Sequence, residues 1–195
     1  MASPLARFVL KVLGWLPLAF AVWYFTAPVL LWPAALLVEL ILRLGFGDLV
    51  RSIDQAGAVY TFTTSLKPGQ AVAQSGNITV DVNALLYSFG LPLYVALVLA
   101  AREPGWPRKL AIGYAVIIPF VAWGMLADFL KNVAVTSGPV VASQTGFSAW
   151  QREAIVFAYQ MGSLILPTVI PAITWVLTHR ALLERLRGMT VRPAQ

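Results

Sequence analysis

The sequence predicts an all-α polytopic membrane protein of four transmembrane helices and one interfacial or re-entrant helix, with a small extracytoplasmic β-hairpin insert. Three observations predict it. Of 195 residues, 59% are hydrophobic, and the mean hydropathy is +0.77. Soluble domains run at about 45–50% apolar even when Gly is counted. The apolar residues fall in windows long enough to cross a bilayer. Residues 57–83, GAVYTFTTSLKPGQAVAQSGNITVDVN, alternate instead. Tyr60, Phe62, Thr64 and Leu66 share one face of a first strand, and Ile78, Val80 and Val82 share one face of a second. Lys67-Pro68-Gly69 punctuates the first run.

The chain opens with Arg7 and Lys11 ahead of an apolar run. That pattern also fits a secretory signal, but the run is long, contains Pro17 and Pro28, and stays apolar to Leu42. An uncleaved first span over 12–31 is expected, kinked by its prolines. Pro33 suits a first helical position and opens a helix over 33–44. About 12 residues of helix rise only about 18 Å, too little for a bilayer core of about 30 Å. An interfacial or re-entrant helix is the preferred reading, and one tilted helix over 12–44 is the alternative. Glu39 and Arg43, four apart, can pair, and Gly45 and Gly47 end the helix. After the polar insert over 48–83, a second span runs 84–101 to a tight turn, EPGWPRK. A third span covers 110–129. A polar connection over 132–150 leads to Ser148, an N-cap for a helix from Ala149, which becomes a fourth span over 154–177. A basic tail, 179–195, closes a single membrane domain.

Charge orients this partition. With the N-terminus inside, the inner segments hold Arg7, Lys11, Arg102, Arg108, Lys109, Arg180, Arg185, Arg187 and Arg192, nine basic groups. The outer ones hold Arg43, Arg51, Lys67, Lys131 and Arg152, five. Lys/Arg excess on short loops marks the cytoplasmic side, so both termini are expected in the cytoplasm and the insert on the outer face. Because the net charge of +6 follows the membrane segments, lipid headgroups are its expected counterpart and nucleic acid is not. Self-association stays open.

The sequence has no Cys and one His. That removes disulfides, thiolate ligands, a cysteine nucleophile and any histidine cluster, so no metal or cofactor is expected. The spans hold almost no ionisable groups, which disfavours intramembrane chemistry and an ion path. Asp81, Asn83, Tyr87, Asp128, Lys131, Arg152 and Glu153 lie at outer span edges and are expected to form a polar collar. Arg152 would bridge to Asp128 or Asp81 there. A partner-binding role is the second reading, and a catalytic constellation is the least favoured, since no nucleophile–base pair can be assembled. Tyr159 and Gln160 form the most polar site within a span, where Gln160 is expected to make a helix–helix hydrogen bond. His179 is expected to face a helix C-terminal dipole. Asn77-Ile78-Thr79 matches a glycosylation sequon. Gly90, Gly113, Gly124 and Gly162 suit close helix packing.

Four stretches together resemble the exosortase H-associated membrane proteins: RFVLKVLGWLPLAFAVWYFTAPVLLWP, ITVDVNALLYSFGLPLYVALVLA, PFVAWGMLADFLK and WQREAIVFAYQMGSLILPTVIPAITW. The resemblance implies a small inner-membrane protein accompanying an exosortase, a polytopic cysteine transpeptidase-like enzyme acting on C-terminal sorting signals. Exosortases themselves need Cys, Arg and His, and this chain has no Cys. It is therefore expected to be a non-catalytic accessory or scaffold subunit of such a protein-sorting system. The alternatives are an outer-leaflet enzyme acting on a lipid-linked or peptide substrate through Asp81, Asp128 and Arg152, and a small transporter or channel subunit.

Overall fold

A computed structural model describes residues 4–68 and 76–184. Gly69 of the expected turn and the tail arginines Arg185, Arg187 and Arg192 lie outside the described residues.

Helix α1 spans Pro4–Leu30 and carries Pro17 and Pro28 inside it. Leu31 leaves ideal helical geometry (φ −97°, ψ −6°), and α2 follows over Trp32–Gly45 with Pro33 in its first turn. A span followed by a separate helix is thus what forms, rather than one helix over 12–44. Helix α2 buries Ala34, Ala35, Val38 and Leu42 as it packs along a later helix, α5 (Trp106–Lys131). Glu39 and Arg43 pair on its exposed side at 2.5 Å.

The insert is a three-stranded antiparallel sheet, β1 (Val50–Ala56), β2 (Val59–Thr64) and β3 (Thr79–Asn83), in the order β1-β2-β3. This corrects the expected hairpin. In VRSIDQA only Val50 and Ile53 are half-buried, so β1 has no apolar alternation to announce it. It is an edge strand formed by pairing with β2. The expected faces of the other two strands do form: Tyr60, Phe62, Thr64, Leu66, Val80 and Val82 are buried. The Phe62 ring meets Phe129 of α5 at 4.8 Å between centroids.

A short turn of helix, α3 (Leu85–Ser88), leads into α4 (Gly90–Ala101). The chain turns at Arg102, whose φ of 46° is left-handed, and returns as α5. A π-helical turn, Asn132–Thr136, extends α5. Helix α6 (Pro139–Gln144) crosses to α7 (Ala149–Gln160), which continues through a second π turn, Met161–Ile165, into α8 (Leu166–Thr178). Ser148 and Gln151 form a reciprocal capping box at the start of α7.

Among the described residues, Leu5–Leu30, Trp106–Thr136 and Ala149–Thr178 are each long and apolar enough to cross a membrane. Leu85–Ala101 is apolar but shorter, with a total rise of about 25 Å even as one helix. Helix α5 is the axis of the bundle: α2, α4, α7, α8 and β3 all pack on it. The four expected packing glycines sit at close approaches within the bundle. A Cβ on Gly90 would lie 2.0 Å from the Pro167 carbonyl oxygen, and one on Gly113 would lie 2.0 Å from the Tyr94 ring. One on Gly124 would meet Tyr87 at 2.4 Å, and one on Gly162 would meet the Gly124 Cα at 2.9 Å. Helix α1, by contrast, packs mainly on α4 and exposes Leu10, Leu13, Phe25 and Val29, as a lipid-facing helix does.

Candidate functional site

A sheet this small is marginal alone, and here it is fastened to the bundle on three sides. Its inner face rests on Phe129. Gln144 of α6 accepts from the Lys67 backbone N–H at 3.0 Å and donates to the Lys67 carbonyl at 2.9 Å. Gln55 Nε2 donates to the Pro28 carbonyl at 2.9 Å. The sequence-expected collar is divided around this capped end into three places.

The first is the outward face of the sheet. Asp54, Thr61 and Asp81 stand in one cross-strand row, and the Thr61 hydroxyl donates to Asp81 at 2.7 Å. Asp81 is exposed. Asn83 acts locally, its side-chain oxygen accepting from the Leu85 N–H at 3.1 Å and so turning the chain from strand to helix.

The second lies at the end of α5 beneath the sheet. Asp128 is 7% exposed and accepts from Lys131 at 2.9 Å and from the Asn132 side chain at 3.0 Å. The Lys131 ammonium also sits 3.9 Å from the centre of the Tyr159 ring, a cation–π contact. Tyr87 packs on Gly124 in the same neighbourhood, and its buried hydroxyl is directed at the Asp128 carboxylate. The sequence placed Tyr87, Asp128 and Lys131 in the collar and Tyr159 in a separate site within the fourth span, and it gave no sign of Asn132.

The third is an open groove of about 660 Å³ between the Asn132–Thr136 turn, α6 and α7. Ala134, Val135, Pro139, Val156 and Phe157 form its walls, and Arg152, Glu153 and Gln160 supply its polar groups. Arg152 does not reach Asp128 or Asp81: among the described residues its guanidinium has no ion pair. Gln160, expected between helices, is exposed and lines the groove. Asp81, Asp128 and Arg152, the trio an outer-leaflet enzyme would use, thus stand apart. Among the described residues, no group of three or more His, Cys, Asp or Glu could hold a metal ion.

Beside the sheet, a cleft of about 360 Å³ separates the end of α2 from β1, lined in part by Glu39, Arg43, Arg51, Ser52 and Ile53. The far end of the bundle is tied differently. Glu103 and Lys109 form an ion pair, Tyr94 donates to the Lys109 carbonyl at 2.8 Å, and Phe8 stacks on Trp175 at 5.6 Å. His179 is the C-cap of α8, with its Nδ1 3.1 Å from the Trp175 carbonyl oxygen in the last turn. It is 1% exposed and stacked on Trp175 at 5.1 Å, and desolvation holds it below the usual histidine range.

The model of one protein family, described as exosortase H-associated membrane protein, matches residues 2–182. No curated protein and no solved structure matches the chain. The match covers nearly the whole sequence, and the chain belongs to the exosortase H-associated membrane protein family.

Proposed function

We propose that the chain is a non-catalytic accessory or scaffold subunit of a bacterial inner-membrane exosortase-type sorting system, and that it meets its partner through the β1 edge of the sheet. Family membership supports the system. The observation that supports the surface is β1 itself: among the described residues it pairs on one side only, with β2, and most of its side chains are exposed. A free strand edge on a rigid support is a ready template for strand addition, and the cleft carrying Arg43 and Arg51 runs beside it.

Four passes with both termini in the cytoplasm remain the best reading of the topology. Helix α4 is short, but α1, α5 and α8 pack around it, so it is buried mostly in protein and need not match the lipid thickness by itself. The basic groups Arg7, Lys11, Arg102, Arg108, Lys109 and Arg180 then share the inner side.

Co-purification tests the role. Tagged protein extracted in mild detergent is expected to bring down an exosortase. The double variant Arg51→Glu/Asp54→Lys, which changes only exposed side chains of β1, is expected to reduce that recovery while the protein still accumulates in membranes. Recovery of the wild type without any exosortase would overturn the role. Unchanged recovery of the variant would overturn the surface alone. Single cysteines at Ser143 and Gly188 test the topology, with only the first expected to be labelled from outside intact cells.

A further inference from the structure

The groove beside α7 combines features that the accessory role does not use. Arg152 and Glu153 are successive residues near the start of α7, where opposite charges diverge and do not pair with one another. Neither forms an ion pair among the described residues. Arg152 is half-buried and opens the candidate span Ala149–Thr178. A cation in the first turn of a helix opposes the macrodipole, and an unpaired charge entering the membrane is costly unless something uses it. From Arg152 the groove follows α7 as far as Gln160, about 12 Å along the helix, between walls of Ala, Val and Phe. Its volume of about 660 Å³ is in the range of built small-molecule sites. Trp150, 73% exposed in the first turn of the same helix, is the kind of side chain found at headgroup level.

We propose that this groove binds a phospholipid with a phosphoethanolamine headgroup. The phosphate sits on Arg152, whose planar donor fork matches phosphate oxygens. The ammonium sits on Glu153, and one acyl chain follows Val135, Val156 and Phe157 towards Gln160. Charge complementarity selects this occupant. A headgroup with an anion and a cation side by side satisfies both residues at once. A glycerol headgroup leaves Glu153 facing a phosphate without a counter-charge, and diacylglycerol leaves Arg152 unpaired.

Native mass spectrometry of the purified full chain in mild detergent tests the site without any partner, so its outcome is separate from that of the accessory role. Dioleoyl phosphatidylethanolamine, dioleoyl phosphatidylglycerol, dioleoylglycerol and inorganic phosphate are titrated in parallel. Phosphatidylethanolamine is expected to bind best and inorganic phosphate not to bind measurably. Arg152→Gln is expected to weaken the lipid about tenfold, the scale of losing a charged hydrogen-bonded contact. Arg152→Lys, which keeps the charge but loses the planar fork, is expected to fall between the wild type and Arg152→Gln, and Glu153→Gln to erase the preference over phosphatidylglycerol. Equal binding of dioleoylglycerol, unchanged binding by Arg152→Gln, or phosphate binding that competes with lipid would each overturn the proposal. A photo-crosslinking side chain in place of Val156, activated in membranes, is expected to capture lipid. Capture of protein instead, either a partner or residues 69–75 of this chain, would also overturn it.

Discussion

The Asp128 cluster and the Arg152 groove lie at the same end of the bundle, and their polar groups differ in one respect. Asp128 has Lys131 and Asn132 as hydrogen-bond partners, and Lys131 has the Tyr159 ring. Arg152 and Glu153 have no ion-pair partners among the described residues, and the groove they line is open. A buried charge that is fully partnered helps to hold the fold in one arrangement, whereas an unpartnered charge on an apolar wall is free for a ligand. The cluster is therefore expected to govern stability, and the groove to govern binding.

The largest effect is expected where the cluster is packed most tightly. Gly124→Ala puts a methyl group 2.4 Å from the Tyr87 ring and 3.0 Å from the Tyr87 Cβ. Overpacking of this kind costs about 3 kcal/mol, read as a lower unfolding midpoint in detergent. Gly14→Ala is the control. Nothing lies within 4 Å of that Cβ, so the helix should gain up to about 1 kcal/mol. If the two variants behaved alike, close packing on α5 would not be what holds the bundle.

Next comes the ion pair. Lys131→Met leaves the Asp128 carboxylate, 11% exposed at its side chain, without its counter-charge, and about 2–3 kcal/mol is the expected loss. Asp128→Leu combined with Lys131→Met should recover most of it, because removing both charges leaves no uncompensated one. A double mutant as unstable as the single would mean that Asp128 contributes through Asn132 rather than through the pair. A smaller loss, about 1 kcal/mol, is expected for Ser148→Ala, which removes the cap of α7.

What the sequence revealed follows the same division. Alternation identified the buried faces of β2 and β3, because Tyr60, Phe62, Val80 and Val82 bury that face against the bundle. It could not identify β1, whose side chains are mostly exposed and whose existence depends on pairing. Short-range features were legible from spacing alone: Glu39–Arg43 and the Ser148 cap both lie within four residues. Long-range partners were not. Nothing near Gln144 announces that it closes two hydrogen bonds with Lys67. The expectation that Arg152 would bridge to Asp128 failed because Lys131 and Asn132, on the same helical stretch as Asp128, already hold it.

The smallest stability effect is expected at the residue with the largest proposed effect on binding. Arg152→Gln removes a guanidinium that has no ion pair among the described residues and relieves a cation at a helix start, where the dipole disfavours it. The unfolding midpoint should therefore stay within the shift that about 0.5 kcal/mol produces, in either direction. The measurement should be made twice, on delipidated protein and with added phosphatidylethanolamine. Lipid that binds only the folded chain raises its apparent stability. If the groove is a lipid site, wild type and Arg152→Gln should coincide without lipid and separate when it is added, with the wild type higher. A destabilised Arg152→Gln in delipidated protein would mean that the guanidinium supports the fold, and the contrast between a partnered cluster and an open groove would then fail.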